Sequence, residues 1–71
     1  MLRADSAQVN WDGHKKQWTV RVQVGEEVIR RPIPNTPESA GEETLRSLAV
    51  ETVHDDGYEV DPTMVSIVHD A

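Results

Sequence analysis

The sequence predicts a small α+β domain of order β-β-β-α-β: an antiparallel meander, one amphipathic helix packed on one sheet face, and a C-terminal strand. Three observations lead there. From residue 7 to residue 33 apolar and polar side chains alternate, the period of a half-buried strand, with breaks at two glycine-bearing turns. From 36 to 57 the spacing changes to that of a helix. After it comes one short apolar run, 63–69.

Residues 1–6 read as a flexible tail, leaving 7–71 as the single domain. In 7–12, Ala7, Val9 and Trp11 share one face, and Gln8 and Asn10 the other. Asp12-Gly13 opens a turn whose tip is His14-Lys15-Lys16. The clearest strand is 17–24, with Trp18, Val20, Val22 and Val24 on one side and Gln17, Thr19, Arg21 and Gln23 on the other. Trp11 and Trp18 flank the first turn and are placed to pair across the hairpin on its buried side.

Gly25-Glu26 marks the second turn, glycine first as a type II′ hairpin prefers. A two-residue loop sets Val24 opposite Glu27, and a four-residue loop sets it opposite Ile29. Both put Ile29 and Ile33 on the apolar side with Arg30 outside. The longer loop is the expected one, because the shorter would place Arg21 directly across from Arg30. The third strand is 28–33, and Pro32, lacking an N–H, makes it an edge.

The helix has two possible starts. Thr36 as cap with Pro37 in the first position and Glu38 in the first turn is one. Ser39 with Glu42 as a capping box is the other, and Gly41 favours it by weakening an earlier start by about 1 kcal/mol. Leu45, Leu48, Ala49, Thr52 and Val53 fall on one face, opposite Glu43, Arg46, Ser47, Val50 and Glu51. Gly57 suits the left-handed residue past the end, with Tyr58 folding back on the last turn. Asp55 and Asp56 stand where the helix dipole disfavours anions, at a cost the helix itself does not explain.

Residues 59–62 read as a turn. In the last strand, 63–69, Met64, Ser66 and Val68 lie on one side and Val65, Ile67 and His69 on the other. A crossover through the helix makes this strand parallel to the third. Placed beside the first strand, it gives the spatial order 3-2-1-4.

Seventy-one residues allow one domain, and such a chain buries only about 60% of its unfolded surface, so association would add stability. The absence of cysteine excludes disulfides and thiolate metal sites. No apolar h-region opens the chain and no run approaches a membrane span, so the expected compartment is cytoplasmic and no membrane partner is expected. Formal charge is −6, unevenly spread. Residues 1–36 carry six basic side chains against four acidic, a net of +2, while residues 37–71 set Arg46 alone against nine acidic ones, a net of −8.

No catalytic, cofactor or metal motif emerges. His14, His54 and His69 have no His or Cys companion at ligand spacing; His54 with Asp55 and Asp56 lacks calcium-loop spacing. Ser39 and Ser47 lack a nucleophile elbow, and the glycines are too scattered to cradle a phosphate. The expected function is therefore a non-enzymatic protein-interaction module, a homodimer or a binder of another protein, with an acidic helix face. Its candidate partner-binding residues are Arg21, Arg30, Arg31, Glu43, Glu51, Asp55 and Asp56. The alternative is a nucleic-acid-linked regulator, antitoxin-like or a DNA mimic. Lys15, Lys16 and the arginines favour direct contact with nucleic acid. Net charge, and the parity that puts both tryptophans on the apolar side, disfavour it. The order of elements resembles that of HicB-type antitoxins, a likeness of element order alone that implies no site residue here.

Overall fold

Strand parity builds the sheet as the alternation requires. A computed structural model describes residues 2–68. Its elements are β1 (Leu2–Arg3), β2 (Ser6–Asp12), β3 (Gln17–Val24), β4 (Glu27–Ile33), α1 (Glu42–Asp55), β5 (Tyr58–Glu59), a 3₁₀ turn at Pro62–Met64, and β6 (Val65–Val68). The main sheet runs β4-β3-β2-β6, with β2, β3 and β4 antiparallel and β6 parallel to β2. This is the α+β fold and the strand order expected from the sequence.

One face of this sheet is covered by α1. Ala7 and Val9 of β2, Trp18, Val20 and Val22 of β3, Ile33 of β4 and Val65 of β6 meet Leu45, Ala49 and Val53 of the helix, all buried. Leu48, Trp11, Ile29 and Ile67 pack around this centre. Trp11 faces Trp18 across the first hairpin, ring centroids 5.3 Å apart and edge to face. Val50, expected on the outer helix face, is partly buried and packs against the core.

Four expectations are corrected. Residues 2–6 are paired rather than a tail: β1 lies parallel to β5, the Ala4 N–H donates to Glu59 O at 2.8 Å, and Ser6 already belongs to β2. Ala4 and Val60 are buried by this bridge. Tyr58 consequently joins a strand, and its side chain packs against the core.

The helix begins at Glu42 with Gly41 as N-cap and no side-chain cap. The reason lies in the preceding turn. The Trp18 indole Nε1 donates to the Pro37 carbonyl at 2.8 Å, which also accepts from Ala40 N at 3.1 Å. The Thr36 hydroxyl donates to Pro34 O rather than capping. Residues 36–41 are thus tied to the sheet, and Glu42 and Glu43 remain in the first turn, where the dipole favours them.

The second hairpin closes with the two-residue loop, so Val24 pairs with Glu27 and Arg21 with Arg30. Gly25 supplies φ +60°, and its N–H donates to Asp5 Oδ2 at 2.8 Å. Gln23 Nε2 also donates to Gly25 O. These bonds outweigh a repulsion between two solvent-exposed guanidinium groups that water and salt screen.

The last strand starts at Val65, because Asp61 and Pro62 set up a 3₁₀ turn through residue 64. His69, expected in that strand, lies outside the described residues.

Candidate interaction surfaces

Three surfaces emerge: the outer helix face, the uncovered sheet face, and the margin where α1 meets β6. On the helix, burial of the 45-49-53 stripe turns Glu43, Glu51 and Asp55 outward, and all three are exposed. Asp56 is different. As the C-cap residue it is drawn toward β4, where Arg31 meets it. The Arg31 Nε donates to Asp56 Oδ1 at 3.2 Å and lies 3.1 Å from Oδ2, which gains the Coulombic attraction without a hydrogen bond of its own. Arg31 also donates from Nη1 to Arg30 O.

The expected binding residues therefore divide. Arg31 and Asp56 are a strut between sheet edge and helix end. Arg31 has the same strand parity as Ile29 and Ile33, a signal present in the sequence that assigns it to the helix side. Arg21 and Arg30 face the other way. They sit directly opposite each other on adjacent strands, both exposed. Around them the register places Gln8, Asn10, Thr19, Gln23 and Ser66. Asp12 is the carboxylate at the rim of this face, and its Oδ1 is engaged by the N–H groups of His14 and Lys15. Among the described residues neither Arg21 nor Arg30 makes an ion pair.

The third surface was missed by sequence reasoning. Glu43, Arg46, Ser47 and Val50 follow i, i+3, i+4 and i+7, and with Pro62 they line an open groove of ≈ 520 Å³ between α1 and the 3₁₀ turn that leads into β6. Arg46 Nη2 reaches Val65 O at 3.5 Å, a long contact over the strand edge. The signal available was the helical spacing of Glu43, Arg46, Ser47 and Val50 on one face.

The Asp61 carboxylate is held by its own loop. The Thr63 N–H and hydroxyl both donate to its Oδ1, at 2.9 and 2.8 Å, and hold its pKa below the ordinary carboxylate value, with Arg3 adding a smaller attraction. That loop stabilises the 3₁₀ turn leading into β6. Among the described residues no three His, Asp or Glu side chains gather to hold a metal ion, and no helix is long and apolar enough to cross a membrane. No protein-family model matches this chain, and no curated protein or solved structure matches it significantly.

Proposed function

We propose that this chain is a small, non-enzymatic, cytoplasmic interaction module that self-associates and offers an acidic helix face to a basic protein partner. The observation that supports it is the separation of charge between two layers. The carboxylates of Glu43, Glu51 and Asp55 stand outward on the helix, and the guanidinium groups of Arg21 and Arg30 stand outward on the opposite side of the sheet. Two oppositely charged faces, with the apolar core between them, favour recognition by complementary surfaces.

A second reading, a nucleic-acid-linked regulator, rests on one specific observation. Arg21 and Arg30 are flanked by Gln8, Asn10, Thr19 and Gln23, side chains able to contact phosphates and base edges. The excess of acidic residues opposes it, and Trp18 is buried rather than offered for stacking.

An NMR titration of the ¹⁵N-labelled chain separates the readings. An oligolysine peptide is expected to shift the amides of Glu43, Glu51 and Asp55, with the shifts fading as salt is raised. Duplex DNA shifting Arg21 and Arg30 instead would replace the first reading with the second. Response to neither probe, together with a strictly monomeric chain, would overturn both.

A further inference from the structure

The two edges of the sheet are treated differently. At the β4 edge stand Glu27, Arg30, Arg31 and Pro32, and a proline with several charges is how native proteins block strand addition. At the β6 edge stand Val65, Ser66, Ile67 and Val68, with no charge and no proline. β6 pairs with β2 on one side, and among the described residues no strand pairs with it on the other, where the Val65 N–H donates to Pro62 O and Arg46 Nη2 reaches Val65 O at 3.5 Å. Two of the exposed large apolar side chains, Met64 at 52% and Val68 at 37%, flank this same strand.

We propose that β6 is a self-pairing edge: a second copy of this chain adds its β6 antiparallel to the first, joining two four-stranded sheets into one of eight. This rests on the self-association read above and names its surface. The residue chemistry selects the register. With a two-fold axis through Ser66, Ser66 faces its own copy, Val65 faces Ile67, and the exposed Met64 comes beside the exposed Val68. Every apposed pair then has matching character. A register slipped by one residue would set Ser66 against Ile67 and throw the two helices onto opposite sides of the joined sheet.

The helix margin agrees. In the two-fold register both helices lie on the same side of the joined sheet. Arg46 is the sole Lys or Arg of residues 37–71 and stands at this margin, one turn from Glu43. An isologous contact draws each Arg46 from its 3.5 Å reach to Val65 O toward the other copy's Glu43, giving two reciprocal pairs of opposite charge. An interface of this kind closes on itself and forms a dimer rather than a filament.

The test uses the absence of native cysteine. On the two-fold axis, Ser66 and its copy form a non-hydrogen-bonded antiparallel pair, with Cα atoms about 4.5 Å apart, within disulfide range. Under mild oxidation the full chain carrying Ser66→Cys is expected to convert to a disulfide-linked dimer. Gln8→Cys, one strand further in on the same face, is expected to remain unlinked. Val68→Lys, at an exposed position that leaves the core intact, is expected to weaken self-association by about tenfold or more. Glu43→Arg alone should weaken it, and adding Arg46→Glu should restore it. A wild-type dimer in which Ser66→Cys links no better than Gln8→Cys would overturn the β6 surface while leaving self-association standing. A wild-type monomer would overturn both.

Discussion

Arg31 on the β4 edge and Asp56 at the end of α1 form a cross-layer ion pair, with Nε 3.1 Å from Oδ2. The pair accounts for an aspartate that the helix dipole alone would reject. Both side chains retain solvent contact, 49% and 22% exposed, so the pair is worth no more than about 1 kcal/mol. Arg31→Ala is expected to lower the melting temperature by no more than about 4–8 °C. Asp56→Asn in that background should recover part of the loss, because it removes a carboxylate left without its cation. A double-mutant cycle by thermal denaturation reads the coupling, and additive effects would show that the two residues do not interact.

Trp18 joins the sheet to the turn before the helix. Its ring is buried against Trp11 and its indole N–H donates to Pro37 O. Trp18→Phe keeps most of the apolar volume and loses that bond, a cost of about 1 kcal/mol from the hydrogen bond plus a smaller one from lost ring area. Trp18→Ala is expected to cost about 3–5 kcal/mol, enough to unfold a domain of this size. Urea denaturation followed by far-UV circular dichroism checks both, and equal effects of the two substitutions would contradict the packing described.

The sequence carried the sheet and the buried helix stripe more fully than the joints between them. Alternation over 17–24 and the 45-49-53 spacing each repeat a period enough times to fix which side is buried. Pro32 marked the edge. The β1–β5 ladder is only two residues on each side, too short to show a period. The late helix start depends on Trp18 reaching across nineteen positions to Pro37, a tertiary contact that overrides two plausible local caps. The short second turn depends on Asp5, distant in sequence, taking the Gly25 N–H. At the candidate surfaces, Arg21 and Arg30 were legible from parity. The role of Arg31 was legible by the same rule, whereas the groove requires the 3₁₀ turn to bring Pro62 against the helix.

Two glycines test the backbone alone. Gly25 and Gly57 have φ of +60° and +89°, and a Cβ at either would meet nothing within 4 Å. Alanine at either position therefore costs only what the left-handed conformation costs an L-residue, about 1–2 kcal/mol. A D-alanine at position 57, introduced by chemical synthesis, should remove that penalty. If L- and D-alanine chains melt together, the conformational account of this helix end fails.

Acid sensitivity should include a contribution from Asp61. Its folded pKa lies below the unfolded value because Thr63 donates two hydrogen bonds to the carboxylate. The stability it contributes is thus fully present above the unfolded carboxylate pKa and is lost as pH falls through the folded one. Asp61→Ala is expected to flatten that part of the stability profile, measured as urea midpoints from neutral pH downward. A profile identical to wild type would contradict the assignment.

Arg21 and Arg30 are expected to trade stability against binding. Directly opposed like charges destabilise a strand pair by a few tenths of a kcal/mol to about 1 kcal/mol. Arg30→Glu should stabilise the isolated chain by that order and raise its urea midpoint. The same change should abolish any response of the uncovered sheet face to an anionic probe in the NMR titration. Unchanged stability would mean that solvent already screens the pair completely.

Sedimentation equilibrium of the unmodified chain at micromolar and tenth-millimolar concentration tests most directly whether this domain works in association with its own kind. The prediction is a concentration-dependent rise from the 8.0 kDa monomer to twice that mass, and no further. A mass of 8.0 kDa at every concentration would contradict it.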